Sequence, residues 1–449
     1  MKRRDFLRKS ALATAGAFAA PYLLPGGRLF AASGIRRVNH VVFCLYAGGV
    51  RNLESVHMSD GNLMPNLLNG NLPVSPDIAG AMESLPAAPL QMPLQNHGTL
   101  FKEFRYKSGP TGHYNGHTVA VTGSYVDVDL NLREHPRKPT IFEYYRKHNS
   151  PQQNAMNCWW VANQLGPYPA LNYSSSPDYG PAYGANFIAP TSLISPQGFD
   201  VLGNPRNFSS NEEATIRNMK DFVNGIFNHS YTDGSAGVVN PEADANTLRQ
   251  FIGDLYTKAQ TPSWVNSWNA GGAMNNDMYN ILFAEEIIRT FRPELLVVNM
   301  QDVDICHFNY TSYANNLRKA DFAVAHLWKT IQETPGMADD TVLIIAPEHG
   351  RNYYPNTSVD AYGRRATDHT APTDPNFNGD PLMQMAREIF CLVVGPPSVV
   401  RQGQVINSLM GESTEIVPTI ASLLGFEDAM PGGFGVKPYT ACELQAAFV

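Results

Sequence analysis

Short apolar runs alternate along the chain with longer stretches in which apolar residues recur at helical spacing. The apolar runs are Val38–Tyr46, Ala155–Ala162, Leu295–Met300, Thr341–Ala346 and Ile389–Val394. The helical stretches are Asn276–Phe291, Tyr313–Glu333 and Glu415–Leu424. Uniformly apolar runs of this length are typical of strands buried on both faces, and strands that alternate with helices form parallel sheets. The pattern therefore predicts an α/β fold, doubly wound around a mainly parallel sheet.

The stretch from residue 124 to 273 differs from the rest of the chain. It is rich in Asn, Ser, Pro, Tyr and Gly, and its periodicity is weak. We expect it to form a cap-like insertion beside the main sheet. No repeat or low-complexity linker divides the chain, and 449 residues are enough for one large α/β domain with an insertion. Residues 34–449 are therefore predicted to form a single domain that contains this insertion.

Composition and charge exclude several classes of protein. Hydrophobic residues make up 43% of the chain and charged residues 16%, which is typical of a globular protein with a core and not of a disordered one. The net charge is −7, and no basic run follows the first nine residues. A general nucleic-acid binder needs concentrated positive charge, so no nucleic-acid partner is expected. The five cysteines are widely spaced, which argues against a disulfide scaffold or a CxxC metal site.

Residues 1–33 have the features of an export signal. Arg3 and Arg4 precede Phe6 and Leu7, and the alanine-rich stretch Ala11–Ala20 follows. This order is the layout of a twin-arginine signal. The apolar stretch is shorter than the roughly 20 residues that cross a bilayer, so no stable membrane span is expected. The sequence predicts a bacterial protein that the twin-arginine export machinery delivers to the periplasm or the medium.

Carboxylate and imidazole side chains follow two of the predicted strands and precede the last one. They are Asp302, Asp304, His307, Glu348, His349 and His369. In open α/β sheets ligands bind beyond the carboxyl ends of the strands, where these side chains would meet. Such donors suit zinc, manganese or iron, and carboxylate-rich sites suit calcium or magnesium. We expect one or two divalent ions, with zinc first among them, although each residue alone also fits a structural role such as capping a helix.

Six segments follow one another in an order that has a counterpart in a known superfamily. They are Val38–Tyr46 with the turn Ala47–Asn52, Asn96–Arg105, Gly116–Gly123, Leu295–His307, Thr341–Gly350, and Ile389–Pro396 with Glu415–Phe426. In this order they resemble the motifs of the alkaline phosphatase-like superfamily, which includes nucleotide pyrophosphatase/phosphodiesterases and sulfatases. The resemblance covers most of the chain outside the insertion. It implies an alkaline phosphatase-like fold.

The same resemblance implies a metal site and an activity. One metal would be held by an Asp and a His of residues 302–307 together with His369, and a second by Glu348 and His349. The implied activity is metal-dependent hydrolysis of phosphate esters, or of related sulfate or phosphonate esters. The substrate would be an anionic small-molecule or polymer ester.

The spacing within residues 302–307 departs from the superfamily, which uses Asp-x-x-x-His. The step from Asp304 to His307 is one residue shorter than this, and the step from Asp302 is one residue longer. A remodelled loop would allow either carboxylate to reach the metal. We prefer Asp304.

Two further departures affect the chemistry. The Asp that opens the superfamily site falls at Ala47, which cannot be a ligand, and the nucleophile position counted back from Thr122 falls at His113. His113 is then a nucleophile, because imidazole can attack phosphorus, or a ligand that replaces the missing Asp. Thr111, two residues away, is a further nucleophile if the register shifts. Alternatively the site has kept a metal and lost the chemistry, which would make the chain a non-catalytic binding or assembly protein on the same fold.

Overall fold

The computed structural model describes residues 35–126, 135–149, 154–163, 168–190, 240–269, 274–369, 385–427, 430 and 443–449. The predicted export signal and the middle of the predicted insertion lie outside the described residues. No helix among those described combines the length and the apolar composition needed to cross a membrane.

Eight strands and eight α-helices make up the described part of the chain. The strands are β1 His40–Tyr46, β2 Gly98–Arg105, β3 Cys158–Val161, β4 Asn186–Ile188, β5 Leu295–Met300, β6 Thr341–Pro347, β7 Glu388–Val394 and β8 Gln404–Glu412. The helices are α1 Pro76–Ala79, α2 His113–Thr122, α3 Ile141–His148, α4 Glu242–Ala259, α5 Pro262–Val265, α6 Asn276–Phe291, α7 Tyr310–Glu333 and α8 Ile416–Leu424.

The strands form one sheet in the order β4-β3-β5-β1-β6-β7-β2-β8. β1 lies near the centre and pairs in parallel with β5 and β6. β7 runs antiparallel to both of its neighbours, β6 and β2, and the other pairs are parallel. The predicted α/β class with a mainly parallel sheet is confirmed. The prediction that the run at β7 is a parallel strand is wrong, because the periodicity of a fully buried strand is the same in both directions.

Helices cover both faces of the sheet, as a doubly wound fold requires. Side chains of β1 alternate between the two faces, so that Val42, Cys44 and Tyr46 belong to one hydrophobic core and Val41 and Phe43 to the other. The first core includes the apolar sides of α6 and α7. The second core includes those of α2, α3 and α8.

The predicted insertion does not stay apart from the sheet in its described part. β3 and β4 come from this segment, and they extend the sheet beyond β5 through parallel pairing. β3 was expected from its apolar run, whereas the three-residue β4 is too short to show a pattern. Within the described portion of residues 124–273, β3 and β4 therefore form one edge of the main sheet. Residues 191–239 of this segment are outside the described residues.

Three segments meet at the carboxyl ends of β1, β5 and β6. Tyr46 pairs with Met300 on one side and with Pro347 on the other, so the three strands end at the same level. The turn after β1 passes close to the other two segments through Gly48 and Gly49, whose φ angles are +106° and +80°. A Cβ atom on Gly49 would lie 2.6 Å from the ring of His349, and a Cβ atom on Gly48 would lie 2.7 Å from Asp304. Glycine is therefore required at both positions.

Candidate functional site

Six of the eight residues predicted from the sequence meet at this edge of the sheet. They are His113, Asp304, His307, Glu348, His349 and His369. Each residue offers one ligand atom, and these atoms form two overlapping groups that share His113. We call the group His113, Asp304, His307 and His369 the outer cluster, and the group His113, Glu348 and His349 the inner cluster.

The outer cluster is arranged around the Asp304 carboxylate. Its Oδ2 lies 3.2 Å from Nε2 of His113, and its Oδ1 lies 3.2 Å from Nε2 of His307 and 3.8 Å from Nε2 of His369. The other ring nitrogen of His307 lies 2.7 Å from the carboxylate of Asp368. All four ligand atoms are within 4.8 Å of one another, a spacing that suits coordination of a single cation.

The inner cluster is arranged around the buried Glu348 carboxylate. Its Oε1 lies 2.7 Å from Nδ1 of His113 and 3.2 Å from Nε2 of His349. Its Oε2 lies 2.5 Å from Nδ1 of His117, one helical turn beyond His113 in α2. His117 thus occupies one carboxylate oxygen and leaves the other to face the cluster. Gly116 permits this contact, since a Cβ atom there would lie 3.0 Å from the Glu348 side chain.

Two histidine rings are anchored so that one nitrogen faces the clusters. Nδ1 of His349 lies 2.8 Å from the carbonyl oxygen of Gly350, and Nδ1 of His369 lies 2.7 Å from that of Thr111. The Nδ1–H groups donate to these carbonyls, which leaves the lone pairs of both Nε2 atoms directed at the clusters. Both Nε2 atoms are buried and have no hydrogen-bond partner among the described residues. An anchored ring with an unpartnered second nitrogen is what metal-ligating histidines show.

The electrostatics keep these two rings neutral. Burial lowers the pKa of His349, and it lowers the pKa of His369 well below its usual value with a further contribution from the neighbouring histidines. A neutral imidazole is the form that binds a metal. The two rings therefore do not have to lose a proton before they coordinate a cation.

The shared His113 lies in a strongly negative environment. Burial alone would lower its pKa, but Glu348 and Asp304 outweigh that effect and raise the pKa to about 10. The surrounding histidines in turn hold the pKa of Glu348 well below its usual range, despite burial that would raise it. His113 and His307 lower the pKa of Asp304 against the same opposing effect of burial. Two ionised carboxylates around one ring create a position that favours positive charge.

Arg351 is a site residue that the sequence analysis missed. Its fully buried guanidinium donates to Oδ1 of Asp304 at 2.8 Å, to the carbonyl of Gly49 at 3.1 Å and to the carbonyl of Thr367 at 2.7 Å. These contacts connect the turn after β1, the segment after β5 and the loop that carries His369. The available signal was its position directly after Glu348-His349-Gly350.

Asp302, which was predicted as a metal ligand, does not join the clusters. Its carboxylate accepts from Nδ2 of Asn276 at 2.8 Å and from the backbone N–H of Asp277 at 3.3 Å, at the start of α6. The reason is that residues 302–307 form a 3-10 helix. Side chains three residues apart eclipse in such a helix, so Asp304 and His307 share a face that Asp302 cannot reach.

Thr111, which was predicted as an alternative nucleophile, does not direct its hydroxyl into the clusters. The hydroxyl donates to the carbonyl oxygen of His369, while the Thr111 carbonyl accepts from the His369 ring. Thr111 thus positions His369. Ala47 is fully buried, and the adjacent N–H of Gly48 donates to Glu348 at 2.5 Å. The backbone after β1 therefore contributes a donor to the inner cluster and no ligand side chain.

Comparison with known proteins yields matches among solved structures alone. No family model and no curated protein matches the chain. A protein in the alkaline phosphatase superfamily from Vibrio parahaemolyticus matches at 12% identity over 87% of this chain and 67% of that one, with a TM-score of 0.44. A mutant of the alkaline phosphatase PafA matches at 10% identity over 87% and 96%, with a TM-score of 0.45.

A third match is the phosphonate monoester hydrolase of Agrobacterium radiobacter, at 12% identity over 86% of this chain and 73% of that one, with a TM-score of 0.36. The matched structures include members of the superfamily that the sequence motifs resemble. At these identities the matches bear on the fold alone.

Proposed function

We propose that the protein is an exported, metal-dependent hydrolase of phosphate esters or of related sulfate or phosphonate esters. The observation that carries the proposal is the pair of buried Nε2 atoms of His349 and His369, which have no hydrogen-bond partner among the described residues. Leaving such groups unsatisfied costs free energy unless a ligand completes them. The order of motifs in the sequence supports the choice of ester hydrolysis over other metal-dependent reactions.

The donor sets suit zinc best. The outer cluster combines one carboxylate with three imidazoles, and the inner cluster combines one carboxylate with two. Mixed nitrogen and oxygen donors favour zinc, with manganese and iron as the nearest alternatives. Calcium and magnesium prefer sites made of oxygen atoms alone, so they fit less well.

The two clusters would bind the cation, and they differ in how far solvent and substrate can reach them. A divalent cation in these clusters would offset the charge on the non-bridging oxygens of an ester and polarise the bond to be cleaved. Asp304 and Asp368 have side chains that are 38% and 37% exposed, so the outer cluster faces solvent and an ester can reach it. Glu348 and His349 are buried, which keeps water away from the inner cluster. Arg351 holds the Asp304 carboxylate in place.

Of the roles considered for His113, that of a ligand is best supported. Both ring nitrogens lie within 3.2 Å of a carboxylate oxygen, one in each cluster. A nucleophile needs a nitrogen lone pair that is free to attack the substrate. Here both nitrogens are directed at groups that would coordinate a cation.

The proposal is tested with the purified full-length protein. We expect bound zinc by elemental analysis, and turnover of at least one among aryl phosphate monoesters, phosphate diesters, phosphonate monoesters and aryl sulfates. Chelation should abolish that turnover and added Zn²⁺ should restore it. Turnover that survives complete metal removal contradicts the proposal. Bound metal with no turnover of any of these esters would instead indicate the non-catalytic binding or assembly protein.

A further inference from the structure

His113 is the one residue that belongs to both clusters. Its Nε2 lies 3.2 Å from Asp304 in the outer cluster, and its Nδ1 lies 2.7 Å from Glu348 in the inner cluster. The two nitrogens point to opposite sides of the ring. The ring therefore stands between two separate sets of ligand atoms.

We propose that His113 is a bridging ligand that joins two cation positions, one in the outer cluster and one in the inner cluster. The inference rests on the metal dependence proposed above and adds the residue that connects the two cation positions. Its Nε2 completes a position with Asp304, His307 and His369. Its Nδ1 completes a position with Glu348 and His349.

The donor count supports a shared ring. Without His113 the inner cluster keeps two protein ligands, Glu348 and His349. Catalytic zinc sites in proteins have three protein ligands, so one more is needed. His117 is not part of the inner cluster, and its Nδ1 contacts Oε2 of Glu348 at 2.5 Å and the carbonyl oxygen of His113 at 2.7 Å. Nδ1 of His113, 2.7 Å from Glu348, is in place to supply the third ligand.

The charge balance supports it as well. The inner cluster holds one carboxylate for a divalent cation. A ring that donates electron pairs from both nitrogens is the imidazolate anion, so the protonated His113 ring releases two protons to solvent, one as each cation binds. The resulting negative charge is shared by the two positions. This adds the charge that Glu348 alone does not provide.

The position of the ring is fixed by the fold. His113 is the first residue of α2, and its carbonyl oxygen accepts from His117 one turn later. Two cations on opposite ring nitrogens would be about 6 Å apart, farther than the roughly 3.5–4 Å of sites that clamp one substrate between two metals. The outer cation would then face the ester. The buried inner cation would influence the outer one only through the His113 ring.

The test compares cation binding in four variants by elemental analysis and Zn²⁺ titration. His307→Ala removes a ligand of the outer cluster alone, and His349→Ala removes one of the inner cluster alone. Each should lose or weaken one of two equivalents by at least tenfold and keep the other. His113→Ala should weaken both. The exposed His57→Ala serves as the control and should keep both equivalents.

Cobalt substitution gives a readout that does not depend on the variants folding. In the dicobalt wild-type protein a bridging ring should produce exchange coupling between the two Co²⁺ ions, visible by electron paramagnetic resonance. Two uncoupled Co²⁺ ions would overturn the bridge and leave the proposed function standing. Loss of a single equivalent in a folded His113→Ala variant would also overturn it. Failure of the wild-type protein to bind any divalent cation would overturn the proposed function itself.

Discussion

Two aspartates separated by one residue have different roles in this protein. Asp304 sits among three histidines and receives a hydrogen bond from Arg351, whereas Asp302 binds the start of α6. The 3-10 turn between them and His307 decides the difference, since it brings residues three apart onto one face. The spacing from Asp304 to His307 is one residue shorter than in the superfamily. A 3-10 helix has three residues per turn, so it brings residues at this shorter spacing onto one face.

This assignment predicts different results for two isosteric substitutions. Asp304→Asn removes the charge at the centre of the outer cluster, so it should lower Zn²⁺ affinity at least tenfold and reduce turnover by a similar factor or more. Asp302→Asn should leave both within about twofold. Isothermal titration with Zn²⁺ and ester hydrolysis at saturating Zn²⁺ measure the two effects. Equal losses in the two variants would contradict the assignment.

At the scale of elements, α2 is placed by a close approach to Glu348. Ten residues long, it carries His113 at its first position and is followed by Gly123, whose φ of +66° forms a left-handed cap. Gly116 faces Glu348, where an added Cβ atom would lie 3.0 Å from the carboxylate side chain. The glycine lowers helix propensity and allows the helix to reach the inner cluster.

Gly116→Ala should therefore separate stability from function. The gain in helix propensity, about 1 kcal/mol, offsets part of the strain, so the free energy of unfolding should change little. The displaced Glu348 should lower Zn²⁺ affinity about tenfold. Gly253→Ala in α4 is the matched control, because nothing lies within 4 Å of its Cβ position. It should raise stability by roughly 0.5–1 kcal/mol and leave Zn²⁺ binding unchanged. Unaltered Zn²⁺ affinity in Gly116→Ala would count against this contact.

The helix α7 carries a second informative acid, Asp321. Its fully buried carboxylate accepts from the backbone N–H groups of Asn66 and Leu67 and from the Asn66 side chain. Burial nevertheless raises its pKa to about 7, and these hydrogen bonds offset part of that effect. Because this pKa is higher in the folded than in the unfolded chain, the fold favours the protonated form.

The sign of the resulting pH dependence follows from that shift. As pH rises from about 4 to about 7, the unfolded chain loses the proton first, so the contribution of Asp321 to the free energy of unfolding falls, by up to roughly 4 kcal/mol. Asp321→Asn should remove this part of the pH dependence. Denaturant unfolding at pH 4.5 and pH 8 in both proteins measures it as a double difference. A double difference near zero, or of the opposite sign, would refute the shift.

At the scale of the whole molecule, the sheet brings distant parts of the chain to one edge. The ligands of the two clusters come from α2, from the segment after β5, from the segment after β6 and from the loop that carries His369. Both faces of the sheet are covered by helices, so the carboxyl edge is where a substrate can approach. A site assembled from four segments exists only in the folded chain.

For the molecule as a whole, we predict export of the folded protein. The twin-arginine pathway carries folded proteins, so a cation bound in the cytoplasm would travel with the chain. Replacing Arg3 and Arg4 together by Lys should retain the protein in the cytoplasm, whereas Lys9→Gln should not. Cell fractionation with immunodetection of the full-length protein measures this. Periplasmic or secreted protein in the double variant would argue against this export route.

The sequence by itself determined the strands whose apolar runs are continuous and the helices whose periodicity is long. β5 and α6 begin and end where the pattern predicted. A strand buried on both faces is a continuous apolar run, and a helix buried on one side repeats apolar residues at helical spacing, so both patterns can be identified from consecutive residues. The sequence also indicated six side chains that the structure brings together, since carboxylates and imidazoles that follow strands stand out locally. It did not reveal β2 and β8, whose pairing is interrupted by irregularities in register.

Only the tertiary structure decided how these pieces combine. Three features depend on residues far apart in the chain. They are the reversed direction of β7, the engagement of the Thr111 hydroxyl by a backbone carbonyl, and the sharing of His113 between two clusters. Arg351 became visible as a site residue only through its contacts with three separate segments. Local patterns record burial and residue type, whereas ligand geometry depends on distances between segments, which the packing of the sheet and helices sets.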